Sequence, residues 1–413
     1  MKAEIISIGD ELLIGQTINT NAAWLGNVLN TIGFVIYQIT SVPDNREHIL
    51  KALGEATGRS EVVIMTGGLG PTSDDITKPV LCEFFNTRLV ANAEVLSMIE
   101  RLLSRRGFVM NDNNRRQAEI PEACRILPNS TGTAPGMWFE KQGSVFVSLP
   151  GVPHEMKQIT SEYLIPELKK RFVSQVIMHR NIMTFGTFEA RLAEILTQFE
   201  NDLPPSVKLA YLPSFGVIKL RLTSSGNDSD NVAKILEIQG DKLYKIIPEY
   251  IFGENEITLE ETIGMLLVKR KATLCTAESC TGGQISAMIT SIPGSSDYFL
   301  GSVVAYSNSV KTSLLGIPDE TIKAHGAVSR EVAESMASGA RKLFSTDYSV
   351  SVTGIAGPGG GTDAKPAGTV WIAVASAKET ISEKFTFGND RIVNIRRSSL
   401  TALNLLRKQI IKH

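Results

Sequence analysis

Apolar runs alternate with one-faced amphipathic runs along the first part of the chain. Residues 3–8 form an apolar run ending at Gly9-Asp10-Glu11, the pattern of a buried parallel strand. Residues 21–32 place Ala22, Leu25, Val28, Leu29 and Ile32 on one helical face. A second strand is expected over 34–42, with Asp44 capping a helix that carries Ile49, Leu50 and Leu53. A third, over 61–65, runs into Thr66-Gly67-Gly68-Leu69-Gly70-Pro71-Thr72-Ser73-Asp74-Asp75. A hairpin over 137–140 and 144–149 follows, then a helix to about residue 172. Strands alternating with helices predict a parallel sheet covered on both faces.

From residue 173 the pattern is that of a small α+β unit: a strand over 173–185, a helix over 187–200, paired strands over 207–211 and 217–223, and a helix over 232–246. It holds no cluster of reactive groups, and the charge-poor stretch 251–255 reads as the connection to the next domain. There, an apolar run over 272–277 enters a glycine turn and an amphipathic run over 284–292 leaves it. Further strands are expected over 302–305, 348–352, 368–375 and 381–387, and Asp390-Arg391 opens a long C-terminal helix with Leu400, Leu403, Leu406 and Ile410 inside. The expected fold class is α/β throughout: a three-layer domain over 1–172, an α+β middle domain over 173–255 and a three-layer α/β domain over 256–413.

Length and charge narrow the function classes. At 413 residues the chain exceeds one ordinary core. Its 42 lysines and arginines nearly cancel 43 acids, which argues against direct nucleic-acid binding. No apolar segment reaches membrane-spanning length, so no membrane partner is expected. Residues 1–6 enter a strand at once, leaving no room for a signal peptide, and the four cysteines show no CxxC pairing. A cytoplasmic location with reduced thiols is the expectation.

The chemistry concentrates at strand ends. Within Thr276-Ala277-Glu278-Ser279-Cys280-Thr281-Gly282-Gly283, Ser279 sits where a strand meets a helix start, beside backbone N–H groups that can stabilise an oxyanion. The alternative is that Ser279 and Thr281 only cap a helix. A serine nucleophile needs a base, and His325 has no acidic partner in the sequence; Lys311 can serve if burial lowers its pKa. Tyr306 would relay its proton or orient it, and Thr353 and Arg391 stand at other element ends. Cys280 is the rival nucleophile, although cysteine at such a position more naturally packs.

In the first domain, ligands are expected beyond the carboxyl ends of the strands, where Gly9-Asp10-Glu11 and residues 66–75 fall. Gly67, Gly68 and Gly70 let the backbone approach a phosphate, with Thr72 on the same loop. Asp74 and Asp75, with Asp10, suit a divalent metal bridging to phosphate oxygens; equally, Asp74 and Asp75 suit a helix cap and its dipole. Arg116 in Asn-Asp-Asn-Asn-Arg-Arg suits a diphosphate. Asn129 in Asn-Ser-Thr-Gly-Thr-Ala-Pro-Gly and Gly151 in Pro-Gly-Val-Pro-His-Glu-Met look like further walls; Glu155 is a candidate metal or ribose ligand, and His154 a surface residue.

Together these motifs resemble the CinA family (competence/damage-inducible proteins) along essentially the whole chain. Gly9-Asp10-Glu11-Leu12-Leu13, residues 66–75 and residues 149–156 resemble its molybdopterin-binding-like domain. Residues 276–283, 305–308, Lys311, 352–358 and Asn389-Asp390-Arg391 resemble nicotinamide mononucleotide deamidases. The resemblance implies two hydrolytic activities. One converts nicotinamide mononucleotide to nicotinic acid mononucleotide and ammonia, with Ser279 as nucleophile, Lys311 as base, Tyr306 and Thr353 as positioning or relay groups and Arg391 on the phosphate. Gly282 and Gly283 amides would hold the oxyanion, and no cofactor is needed. The other cleaves the ADP-ribose diphosphate with a divalent metal of magnesium or cobalt type. The alternative for the first domain is a pterin- or nucleotide-binding module without turnover. The middle unit would be a KH-type module, and a homodimer is expected.

Overall fold

The computed structural model describes residues 1–72, 74–172 and 176–413. The chain divides into two compact units, Met1–Met178 with Ser225–Ala233, and His179–Ser224 with Lys234–His413. No helix among the described residues is long and apolar enough to cross a membrane.

The first unit is built on a six-stranded sheet in the order Val35–Val42, Lys2–Ile8, Val62–Thr66, Ser144–Leu149, Gly136–Lys141, Arg125–Leu127. The first four strands are parallel, and Gly136–Lys141 runs antiparallel to both neighbours. Period-two alternation decides what each face buries. Ala3 and Ile5 pack with Leu25 and Leu29 of the helix Thr20–Thr31; Ile6 and Ile8 pack with Ile49 and Leu53 of Arg46–Ala56. The result is the three-layer α/β arrangement that the apolar pattern predicts.

Asp44 does not cap the second of these helices. Asn45, directly before the first helical residue, accepts the N–H groups of Glu47 and His48 at 3.0 and 3.3 Å. Asp44, one residue too far back, instead accepts the Asp10 N–H at 3.2 Å.

In the second unit, Ile251–Glu254 is a strand and not a connection. It pairs antiparallel with Val176–Phe185 at one edge of a four-stranded sheet completed by Val217–Gly226 and Val207–Ser214. The strand expected from residue 173 begins within the described residues at Val176; 173–175 lie outside them. Met183, Phe185 and Phe252 share one continuous core with Leu259, Ile263, Leu403 and Leu406. The middle segment therefore buries its apolar face in common with the C-terminal domain.

That C-terminal domain carries a five-stranded sheet in the order Phe299–Val304, Leu274–Glu278, Tyr348–Gly354, Thr369–Ala375, Thr380–Thr386. The first three strands are parallel and the last two antiparallel. Leu274–Glu278 is wholly buried between its two parallel neighbours, and its carboxyl end delivers Ser279 to the sheet's rim.

One buried charge tests the first unit's packing. Glu4 is 2% exposed inside the sheet and accepts Arg59 Nε and Nη2 at 2.8 and 2.7 Å and Ser60 Oγ at 2.7 Å. Arg59→Ala leaves that carboxylate largely uncompensated, and the expected cost is about 2–3 kcal/mol. It should appear as a lower urea midpoint with an unchanged slope.

Candidate functional site

At the C-terminal rim, Ser279 and Lys311 meet. Lys311 lies in the short helix Asn308–Leu315, capped by Ser307, which turns its side chain under the serine. Lys311 Nζ is 3.1 Å from Ser279 Oγ and 2.7 Å from the Ala305 carbonyl oxygen. Lys311 is 1% exposed, and burial pushes its pKa below the ordinary lysine value. A neutral amine here can donate to Ala305 and use its lone pair on the serine proton, the geometry a general base requires.

The turn is held by a residue whose role the sequence motif does not reveal. Glu278 is fully buried and accepts the N–H groups of Gly283, Ile285 and Ser286 at 3.0, 3.1 and 2.9 Å and the Ser286 hydroxyl at 2.6 Å. A carboxylate thus fills the N-terminus of the helix Gln284–Thr290 and neutralises the positive end of its dipole. The Gly282 N–H donates to the Ser279 carbonyl at 3.1 Å. Both amides expected to hold an oxyanion, Gly282 and Gly283, are therefore already committed. The N–H groups of Cys280 and Thr281 bond to no other described residue, and Thr281 Oγ1 is buried without a partner among them. These are the donors left for a developing negative charge. The signal for Glu278 was its place one residue before the serine, at the last buried position of the strand.

The other predicted residues divide. Tyr306 does not bond Lys311: its exposed hydroxyl accepts from Arg391 Nη2 at 3.0 Å, while Arg391 Nη1 donates to the Gly357 carbonyl at 3.2 Å. Lys311 is oriented by the Ala305 carbonyl instead. Arg391 opens the helix Arg391–Lys412, for which Asp390 is the cap. Thr353 Oγ1 donates to the Ala327 carbonyl at 2.7 Å and anchors that loop. Cys280 is packed in the apolar core, and burial pushes its thiol up to about 12, which removes it as a nucleophile near neutral pH. His325 does have an acidic neighbour, Glu331, at 3.6 Å; both are on the surface.

In the first unit, Gly67, Gly68, Gly70, Asp74, Asp75 and Gly151 line one cleft of about 410 Å³. Gly67 is at φ 111°, and a β-carbon there would overlap the Ile8 carbonyl, so only glycine brings the two strand ends this close. Asp75 has a task within the loop: its carboxylate accepts the N–H groups of Gly70 and Thr72 at 2.8 and 2.9 Å and the Thr72 hydroxyl. Thr72 is thereby a loop brace. Asn129 is also a brace, donating to the Ala134 carbonyl at 2.8 Å and to Glu155 at 2.7 Å and accepting from Thr131 and Gly132.

Arg116 is exposed, and its neighbour Gln117 faces the cleft instead. Gln117 is 2% exposed, and neither atom of its amide has a partner among the described residues. The carbonyl of Gln117 accepts from the buried Lys78 Nζ at 2.9 Å, whose pKa burial lowers to about 8.

Acids gather at this cleft. Burial raises the pKa of Asp44, and the charges of Asp10, Glu11 and Asp74 raise it further, a repulsion that a divalent cation would relieve. Among the described residues no three acidic, histidine or cysteine side chains form a cage for a metal ion. The donor set fits an ion held by one or two carboxylates, with Asp44 and Asp74 lining the cleft, and completed by water and ligand phosphates.

Three family profiles match the chain. Residues 256–410 match the family profile for the CinA C-terminal domain, 4–170 the "probable molybdopterin binding domain" and 179–253 the damage-inducible protein CinA KH domain. A CinA-like protein of Cytophaga hutchinsonii is 48% identical over 408 residues, 99% of this chain and 98% of that protein. A CinA-like protein of Flavobacterium psychrophilum is 44% identical over 417 residues, 100% of this chain and 99% of its own length. The chain belongs to the CinA family.

Solved structures of CinA proteins are similar to part of this chain. A competence damage-inducible protein A of Klebsiella pneumoniae is 33% identical, covering 37% of this chain and 95% of its own, with a TM-score of 0.36. A CinA protein of Thermoplasma acidophilum is 34% identical, covering 41% of this chain and 96% of its own, with a TM-score of 0.37.

The serine–lysine geometry makes a prediction independent of substrate. Between its depressed pKa and the ordinary lysine value, Lys311 holds fewer protons in the folded chain than in the unfolded one, so stability rises with pH across that window and the buried charge costs most below it. Lys311→Met should therefore be at least as stable as the parent at pH 7 in thermal unfolding. The same variant should lose labelling of Ser279 by a serine-directed fluorophosphonate by at least about 100-fold, and labelling of the parent should rise with pH.

Proposed function

We propose that this CinA-family protein hydrolyses the carboxamide of nicotinamide mononucleotide, giving nicotinic acid mononucleotide and ammonia. The observation that carries this reading is the buried 3.1 Å contact between Lys311 Nζ and Ser279 Oγ; the motif resemblance supplies the substrate. Neutral Lys311 takes the hydroxyl proton as Ser279 Oγ attacks the carboxamide carbon. The N–H groups of Cys280 and Thr281 receive the oxyanion. The resulting lysine ammonium returns its proton to the amide nitrogen, the C–N bond breaks, and ammonia leaves a seryl ester. Water then attacks that ester while Lys311 takes its proton; as the ester C–O bond breaks, the lysine ammonium returns that proton to Ser279 Oγ, and the carboxylic acid departs. Arg391, fixed by Gly357 and Tyr306, supplies the cation for the nucleotide phosphate.

For the first unit, the reading is hydrolysis of the ADP-ribose diphosphate at the glycine-lined cleft. It is supported by the close backbone approach at Gly67 and Gly68 and by the acid cluster around Asp44. A bound divalent ion would neutralise phosphate charge there. This chain's own residues position the ligand: the glycine loop against phosphate, and the Gln117 amide toward a ribose or base. The alternative, a pterin- or nucleotide-binding module without turnover, uses the same cleft.

Ser279→Ala should lower ammonia release from nicotinamide mononucleotide by at least about 1,000-fold; full activity in this variant would remove the deamidase reading. Arg391→Ala should chiefly raise KM for the mononucleotide. ADP-ribose hydrolysis should stop in chelator and weaken in Asp74→Asn. Undiminished turnover in chelator refutes the metal requirement, whereas ADP-ribose binding without turnover in any metal selects the binding module.

A further inference from the structure

A second cavity of about 410 Å³ lies within the second unit, between the turn and strand ends of the middle sheet and the C-terminal helix Arg391–Lys412. Its size falls in the range of small-molecule sites. Its walls are aromatic: Phe185, Phe215, Phe385 and Phe387. Phe385 and Phe387 lie parallel to one another at 6.0 Å between centroids, and Phe215 is 55% exposed at the mouth.

The polar groups are mostly donors. Arg397 and Lys408 are exposed on the helix and line the cavity, and the Arg396 guanidinium lies 5.0 Å from the Phe215 ring centroid. Asn404 is 5% exposed; its Oδ1 accepts from Arg407 Nε at 3.1 Å, and its Nδ2 bonds to no described residue. Beneath it, Arg407 is 4% exposed and bonds only to Asn404 and to the carbonyls of Ile251 and Glu249 at 2.8 and 3.2 Å. No carboxylate among the described residues neutralises this buried cation, and burial lowers its pKa. Glu383 is the one acid in the cavity wall. A buried charge paired only with dipoles is costly, and it favours an anion within reach of Asn404.

We propose that this cavity is a second ligand site, separate from Ser279, that binds a nucleoside monophosphate. The base would stack on the phenylalanine walls, as bases do on aromatic platforms. The phosphate would lie toward Arg397, Lys408 and the free Asn404 amide, charge-assisted donors that Arg407 supports from below. The terminal nucleotide of a single-stranded nucleic acid shares this chemistry. The chain's balanced charge favours the free mononucleotide, because a strand needs a longer basic track than this cavity supplies.

The test is calorimetric titration of the full chain with adenosine 5′-monophosphate and, separately, with a mixed eight-nucleotide DNA, with hydrogen exchange read on the AMP complex. The expected result is AMP binding that weakens at least about tenfold in Arg397→Glu and in Phe215→Ala. Protection should appear over residues 401–408. Both substituted side chains are exposed, and unchanged thermal unfolding confirms that the variants fold. Absence of AMP binding, or binding that Arg397→Glu leaves intact, overturns the proposal. So does DNA binding more than about tenfold tighter than AMP, which assigns the cavity to a nucleic-acid strand.

Discussion

A lysine amine buried against a serine hydroxyl, with a backbone carbonyl and, among the described residues, no carboxylate to satisfy it, is the constraint on which the second unit depends. In water the amine would be charged and useless as a base. Inside, with Ala305 taking one N–H and Ser279 opposite, burial lowers the pKa and shifts the balance toward the neutral form. Burial of Lys311 requires the short helix Asn308–Leu315 to turn back under the sheet rim. Burial of Ser279 requires a strand enclosed on both edges. The fold's layers are therefore part of the acid–base chemistry and not merely its support.

Glu278 completes that arrangement. A glycine turn entering a helix has N–H groups that would attract any anion, including water-borne ones. By placing its own carboxylate on Gly283, Ile285 and Ser286, the chain rigidifies the turn and leaves only the amides nearest the nucleophile open. The site's receptive positive potential is narrowed from a helix end to Cys280 and Thr281. The first unit uses the opposite electrostatics: carboxylates of Glu11, Asp44 and Asp74 line a glycine cleft, and the charge of Asp10 acts on Asp44 beside it.

Much of this was legible in the sequence, because strand ends leave apolar runs abutting glycine and hydroxyl residues. Ser279, Lys311 and Arg391 could be picked out that way, as could the loop holding Gly67 and Gly68. What could not be read depends on a single hydrogen bond or a one-residue offset. Asn45 and not Asp44 meets the helix start, freeing Asp44 for the cleft. Gln117 and not Arg116 turns inward, since helical phase over so short a segment is set by the Lys78 anchor. Tyr306 lies beside Arg391, and periodicity carries no information about which of two nearby cations a hydroxyl will meet. Ile251–Glu254 is too short, and too poor in alternation, to declare itself a strand before its partner is known.

The central claim is that the Ser279–Lys311 pair cleaves an amide. Mass-spectrometric product analysis of nicotinamide mononucleotide incubated with the intact protein tests it most directly. The account predicts nicotinic acid mononucleotide with an equal amount of ammonia. Release of free nicotinamide, or recovery of unchanged substrate, would contradict it.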